Sequence, residues 1–374
     1  MDDLKQWLGE NLVIGDDLQS KEFPETGRGL CSCRTLSAGD VIVSIKLTQC
    51  FSAASVQLSS GSVIPQFIRD HPLECLTLFL VVESWMAERS EYAPYIRSLP
   101  REFTNPLFVL RGQLPENVDP HFDALLLQQH RDLRRGWKLI CRAFAQPELE
   151  HFSHAHSKQR FLWAWFAVAT RSLYIQADMP ALVPFVDLLN HSPFARTRIV
   201  LDGTGNTFQL ITEYPYKSDE QIFINYGSHD NTKLAVYYGF TITRNPLSEV
   251  KFSMEELLSF FPVTDAKMKF LRQYDLCDKF SCSWDGLSLA FLVFLNLRNF
   301  KGPDYWLIFE SLEEQELPIS TKLSLKRLLE EKRRTLSNLL CCDSQSLLHV
   351  CIDEQIQILR HNACLHFDTI KHCF

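Results

Sequence analysis

LVPFVDLLNHSPF, residues 182–194, is apolar for most of its length and then delivers Asp187, Asn190, His191 and Ser192 before Pro193 breaks it. A greasy segment that presents Asp, Asn and His side by side reads as a buried element opening into a ligand pocket. The same residues also suit a plain turn, in which Asn and Ser side chains bond to nearby backbone. A four-residue motif does not separate the two readings, so the flanking sequence has to.

Upstream, RFLWAWFAVATRSLYI (160–175) places Trp163, Phe166, Ala167 and Thr170 on one helical face, an aromatic stripe of the kind that fills a core. Arg171 ends that apolar run and needs a partner or an exit to water. Downstream, residues 198–227 read as three short strands, with Asp202-Gly203 and Gly205-Asn206 marking the first turn. NYGSHDNTKLAVYYGF (225–240) follows, with tyrosines at 226, 237 and 238. Near the N-terminus, residues 23–47 carry Gly27-Arg28-Gly29 and strand-like alternation through Ile45, with a turn at Ala38-Gly39-Asp40 between two short strands. This is either a bulged hairpin or backbone that approaches a ligand where a Cβ would clash.

The remaining sequence is mostly helical. Residues 1–20 hold a short amphipathic helix with Leu4, Trp7 and Leu8 on one face. LECLTLFLVVESWMAER (73–89) has helix spacing with Glu83 and Glu88 outward, and 121–144 reads as one or two further helices. PYIRSLP (94–100) and PENVDP (115–120) read as loops. No Gly/Ser linker interrupts this block, so it should pack on the rest. After Asn245-Pro246 the three-four spacing returns, ending in the stripe Leu348, Ile352, Ile356, Leu359. Lys332-Arg333-Arg334 reads as a solvated helix face.

The chain has 374 residues, 46% hydrophobic and 22% charged, with net charge −7. That balance argues against a nucleic-acid coat and favours basic partners such as lysine-rich tails. The N-terminus does not read as a signal peptide. The apolar runs 161–169 and 287–297 are too short and interrupted to span a bilayer. Twelve cysteines occur without a C-x-x-C pair, which argues for reduced thiols in the cytoplasm or nucleus and against structural zinc. His151, His154 and His156 read as a polar loop, not a metal site.

Taken in order, Gly27-Arg28-Gly29, Arg171, Asp187 to Ser192, Asn225-Tyr226-Gly227 and Tyr238-Gly239-Phe240 resemble the motifs of SET-domain methyltransferases. The helical insertion and tail resemble the Rubisco large-subunit methyltransferase-like branch of that family. The resemblance implies an α+β fold. A mostly β SET domain (1–52 and 161–245) would be split by a helical insertion (53–160) and followed by an all-helical substrate-binding domain (250–374). It implies methyl transfer from S-adenosylmethionine to a lysine of a histone or non-histone protein, by a monomer without metal, nucleic acid or membrane.

By the same resemblance, Gly27, Arg28, Gly29 and Leu30 would lie along the methionine end of the cofactor. Thr170 and Arg171 would offer carbonyls near its amine, and Asp187, Asn190 and His191 would hold its polar groups. Tyr226 and Tyr238 would wall the acceptor channel beside Leu173 and Val186, the Tyr238 hydroxyl orienting methyl and nucleophile. Such a displacement needs alignment more than acid–base work. An aromatic channel suits an approaching cation that reacts as a neutral amine, its proton passing to water. The family's actin-histidine branch carries asparagine, tryptophan and serine at the positions of Leu173, Val186 and Tyr238, so the departure here favours lysine. The rival readings are a histidine acceptor and a catalytically silent SET-like protein that binds a partner.

Overall fold

The computed structural model describes residues 2–115, 120–155, 157–176, 179–203, 205–311, 317–340 and 347–367. The chain forms two compact units: Met1–Leu114, Leu126–Ser228 and Val236–Gly239 in the first, Pro115–Leu125, His229–Ala235 and Phe240–Phe374 in the second.

The first unit holds β1 (Leu12–Ile14), β2 (Leu18–Phe23), β3 (Gly27–Ser32), β4 (Val41–Lys46) and β5 (Phe51–Ser52). Later in the chain come β6 (Leu173–Gln176), β7 (Met179–Leu182), β8 (Asn190–His191), β9 (Thr197–Leu201), β10 (Thr207–Thr212) and β11 (Gln221–Ile224). They form three sheets, in the orders β1-β4-β10-β9, β2-β3-β11-β8 and β5-β7-β6. Each sheet joins early strands to late ones: Ile45 faces Phe208, Leu30 faces Ile222 and Phe51 faces Leu182. Those six side chains are buried, so the core itself ties the two halves of the β region across the intervening helices. The three strands expected in 198–227 are β9, β10 and β11, and β9 and β10 pair antiparallel.

The turn at Ala38-Gly39-Asp40 is present, with Gly39 at φ +94°. The strands on either side do not form a hairpin, because β3 and β4 belong to different sheets. The hairpin partner of β3 is β2, from Leu18↔Ser32 to Phe23↔Gly27. Most of β2 is polar (Gln19, Ser20, Lys21, Glu22), so it carries no apolar alternation to announce a strand. The N-terminal helix is Asp2–Leu8, with Leu4 and Leu8 buried as expected.

Helix Pro72–Met86 is buried continuously from Glu74 to Glu83. Glu83, expected to face outward, is therefore inside. Its carboxylate accepts from Ser59 N (2.9 Å), Ser59 Oγ (2.7 Å) and Ser90 Oγ (2.5 Å), which satisfies a charge that burial alone would penalise. PYIRSLP is not a loop, since Ala93–Ser98 is helical with Pro94 in its first turn and Tyr95 fully buried. PENVDP lies largely outside the described residues. Pro120–Phe144 is one helix of 25 residues. His151 and His154 sit in the 3₁₀ segment Glu150–Ala155 and not in a loop; His156 is outside the described residues. Ser157 caps helix Lys158–Arg171 by accepting from Arg160 N, and strand β6 starts two residues after the helix ends.

The second unit contains helices Met254–Phe260, Asp265–Gln273, Leu289–Asn299, Ile319–Leu339 and Leu347–Phe367. It is helical but not all-helical: β12 (Glu249–Lys251), β13 (Ser281–Ser283) and β14 (Gly286–Leu287) form a small antiparallel sheet. These strands of two or three residues are too short to show a period of two. The core gathers Leu257, Phe261, Phe291, Phe294, Leu325, Ile352, Ile356 and Leu359. Lys332 is not a free surface charge, because it pairs with Glu256 at 2.7 Å. No described helix is long and apolar enough to cross a membrane.

Candidate active site

Strand β8 runs parallel to β11, with Asn190 opposite Phe223 and His191 opposite Ile224. This register sets Asn190 beside β3, where its Nδ2 donates to Arg28 O at 3.1 Å and Thr26 O at 3.4 Å. The glycine turn and the Asn-His motif therefore meet. Gly29 is required by space: a Cβ there would run into Gln221 Nε2 and lie 3.0 Å from Asn190 Nδ2. Gly27 is required by conformation, at φ +66°. The Leu30 side chain is fully buried, so only its backbone can face a ligand. Arg28 donates to Ser98 O at 2.6 Å.

Asp187 sits on a 3₁₀ turn, Val186–Leu188, entered through Phe185 at φ +78°. For a bulky residue that conformation costs on the order of 1–3 kcal/mol and persists only where packing over-determines it; Phe185 is fully buried. The Asp187 carboxylate accepts from the Tyr95 hydroxyl at 2.8 Å, and Arg171 Nη1 donates to the Asp187 carbonyl. Burial pushes the Asp187 carboxyl up to about 6, against the pull of Arg171, the Tyr95 hydrogen bond and Arg28. Asp187 Oδ1 and Arg171 Nε are buried without hydrogen-bond partners.

Tyr226 lies between two rings, stacked on His191 (5.1 Å, 25°) and tilted against Tyr238 (5.1 Å, 31°). Its hydroxyl donates to Leu189 O at 2.7 Å and its N–H donates to His191 Nδ1 at 3.0 Å. A neutral His191 then carries its proton on Nε2. Burial raises both tyrosine hydroxyls above their ordinary value, so each is a protonated donor at neutral pH.

Tyr238 ends a π-helical turn, Leu234–Tyr238. Such turns throw carbonyls off the helical ladder. Here Val236 O accepts from Asn105 Nδ2 (2.9 Å) and Gln129 Nε2 (3.0 Å), while Gly239 O accepts from Thr104 Oγ1. Gly239 has φ +80°, and a Cβ would lie 2.7 Å from Thr104 Oγ1 and 2.9 Å from Asn105 N.

A cavity of about 230 Å³ opens among these elements. Of the expected site residues, Thr170, Arg171, Leu173, Asp187, Tyr226 and Tyr238 line it. Val186 is not part of that lining, and its side chain, on the first residue of the 3₁₀ turn, is fully buried. Gly27, Arg28, Gly29, Leu30, Asn190 and His191 are outside this lining and gather at the β3/β11/β8 junction. Ser172, Tyr174, Leu189, Ile199, Ile224 and Asn225 complete the wall. Sequence reading did not find Tyr95 or Gln221. Their partners are 92 and about 190 residues away in sequence, and no local pattern marks them.

A SET-domain family model matches residues 27–227. The SET domain-containing protein 4 of Mus musculus is 32% identical over 321 residues, covering 79% of this chain and 71% of that protein. The actin-histidine N-methyltransferase of Xenopus tropicalis is 23% identical over 270 residues, covering 67% of this chain and 45% of that protein. The fold is also that of the SET domain of LSMT solved with lysine and AdoHcy, at TM-score 0.60 and 18% identity, covering 99% of this chain and 91% of that one. With the crossing of glycine turn and Asn-His strand, the paired tyrosines and these likenesses together, the chain belongs to the SET-domain family of methyltransferases.

Proposed function

We propose that the protein transfers a methyl group from S-adenosylmethionine to the side-chain amine of a lysine in another protein. The observation that carries this is the cavity wall itself. Leu173, Leu189, Ile199 and Ile224 give it apolar sides, and Tyr226 and Tyr238 give it aromatic ones. That lining suits a long methylene stem ending in an amine. The Asn225 amide is spent on Pro193 O (3.4 Å) and Gly227 N (2.7 Å), and one Asp187 oxygen is held by Tyr95.

The residues fit the methionine end of the cofactor. An amino acid's ammonium needs an acceptor and its carboxylate a donor, and Asp187 Oδ1 and Arg171 Nε are, among the described residues, the two buried atoms left without hydrogen-bond partners beside the cavity. Gly27 to Leu30 would follow the chain of the cofactor, with Asn190 and His191 holding its polar groups. At about 230 Å³ the cavity is below the usual range for a whole drug-sized ligand, so it suits an amino-acid end or a lysine side chain. When bound, the cofactor supplies an electrophilic sulfonium methyl. The chain's own work is alignment and exclusion of water. Tyr226, pinned through Leu189 and His191, fixes the wall, and Tyr238, which lines the cavity, would offer its hydroxyl to orient methyl and amine. The acceptor amine must arrive neutral, its proton leaving to water. Exposed free thiols at Cys33 and Cys364 fit a reducing compartment, cytoplasm or nucleus.

Incubation with isotopically labelled S-adenosylmethionine and a mixed protein pool, read by mass spectrometry, tests the proposal. Methyl-lysine is expected; label on histidine with lysine unmodified would reassign the acceptor.

A further inference from the structure

We propose that a second groove, within the helical part of the first unit, docks an acidic segment of the protein substrate at a distance from the methyl-accepting cavity. The inference rests on the protein-methyltransferase reading above. The groove has a volume of about 1180 Å³ and runs between the end of helix Pro72–Met86, helix Ala93–Ser98, helix Pro106–Val109 and the start of helix Lys158–Arg171. Phe103, Phe108, Leu162 and Trp163 contribute apolar surface.

Its charges are unbalanced. Arg97 is neutralised by Glu88 at 2.7 Å and Asp3 at 3.5 Å. Arg101, Arg111 and Lys158 are exposed and have no ion-pair partner among the described residues. Arg160 is half-buried and donates to a neutral carbonyl, Ala155 O, at 2.8 Å; burial lowers its pKa. Among the described residues of the lining, Glu102 is the one carboxylate left to offset these four cations. On a chain of net charge −7, this local positive field selects an acidic occupant and speeds its approach.

The chemistry favours a carboxylate-bearing peptide over a nucleic acid. Phe103, Phe108 and Phe166 turn their rings into one another at 5.3–6.2 Å, which builds a packed floor and not a stacking platform for bases. The groove and the cavity share one rigid element: Lys158 to Trp163 begin helix Lys158–Arg171 at the groove, and Thr170 and Arg171 end it at the cavity. At about 1.5 Å per residue the two sites lie roughly 10–20 Å apart along the helix. An extended substrate would then carry its acids roughly three to six residues from the target lysine.

The test uses the full chain and a fluorescein-labelled peptide of about a dozen residues, rich in glutamate with one phenylalanine, read by anisotropy. The controls are the same peptide with lysine for glutamate and an oligouridylate of similar span. Arg101→Glu combined with Lys158→Glu is the variant. Both positions are exposed, and glutamate in the first turn of a helix is favoured by its dipole, so the melting temperature should hold. Expected is salt-sensitive binding of the acidic peptide, weakened about tenfold or more in the variant. Binding of that peptide unchanged in the variant, or tighter binding of the oligouridylate, overturns the proposal. Methyl transfer to a lysine peptide without acids is measured in parallel and should be equal in both proteins. Its absence in both would sink the enzymatic reading while the peptide titration still judges the groove.

Discussion

At the scale of single residues, the two tyrosines divide their labour by their partners. Tyr226 spends its hydroxyl on Leu189 O and its ring on His191, so its role is to hold the wall. Tyr238→Phe keeps ring and packing and removes a hydroxyl. Cofactor affinity measured by calorimetry should be unchanged, while kcat falls about tenfold or more or the methylation degree shifts, because the lost contact matters in the transition state. A lower melting temperature with normal turnover per folded molecule would make Tyr238 structural. Asp187 gives a pH signature. Its carboxyl titrates near 6 in the fold against 3.8 ordinarily, so the folded state keeps its proton longer than the unfolded one. Wild type should therefore lose stability relative to Asp187→Asn as pH rises from 4 to 6, by roughly 2–3 kcal/mol, and the difference should be constant above that. Parallel denaturant titrations of both proteins at each pH check this; a gap independent of pH would place an ionised Asp187 in the fold. Asp187, Asn190 and the tyrosines were legible because short polar motifs interrupt apolar runs in a set order. Tyr95 was not, because a lone tyrosine in PYIRSLP looks like any other until the fold lays it against Asp187.

At the scale of elements, the β3/β11/β8 junction carries the site, and its packing is tight where glycine is needed. Gly29→Ala forces a methyl into Gln221 Nε2 and against Asn190 Nδ2. That overpacking should cost about 1–3 kcal/mol and lower cofactor affinity by moving Asn190. The double variant Gly29→Ala with Gln221→Ala removes the nearer obstacle and should regain part of the stability, so a thermodynamic cycle should give a favourable coupling. Additive effects would show that the strand shifts freely. Elements with strong periodicity were read correctly, among them the final helix with Ile352, Ile356 and Leu359 buried. The failures share a cause. Strand β2 is polar and takes its order from pairing with β3, and Glu83 faces inward where Ser59 and Ser90, 24 and 7 residues away, supply its hydrogen bonds. Local pattern does not encode a partner supplied by tertiary packing.

At the scale of the whole molecule, the placement of the site residues makes a prediction about where ligand binding is felt. Every residue given a cofactor or acceptor role lies in the first unit: Gly27 to Leu30, Thr170, Arg171, Leu173, Asp187, Asn190, His191, Tyr226 and Tyr238. The second unit has its own core, built on Phe261, Phe291, Phe294, Leu325 and Ile356. A ligand that binds only the folded form stabilises what it binds by about 2.7 kcal/mol at a hundred times its dissociation constant. Amides that exchange only by unfolding of the first unit should then slow by about a hundredfold, following the same linkage. Those in helices Ile319–Leu339 and Leu347–Phe367 should keep their rates if each core opens by its own transition. Hydrogen exchange read by mass spectrometry, with and without saturating S-adenosylhomocysteine, makes the comparison. Protection confined to strands β3, β8 and β11, helix Lys158–Arg171 and the sheets around them is the expected result. Equal slowing in the C-terminal helices would mean that the two cores unfold as one, and protection in those helices alone would move the cofactor site out of the first unit altogether.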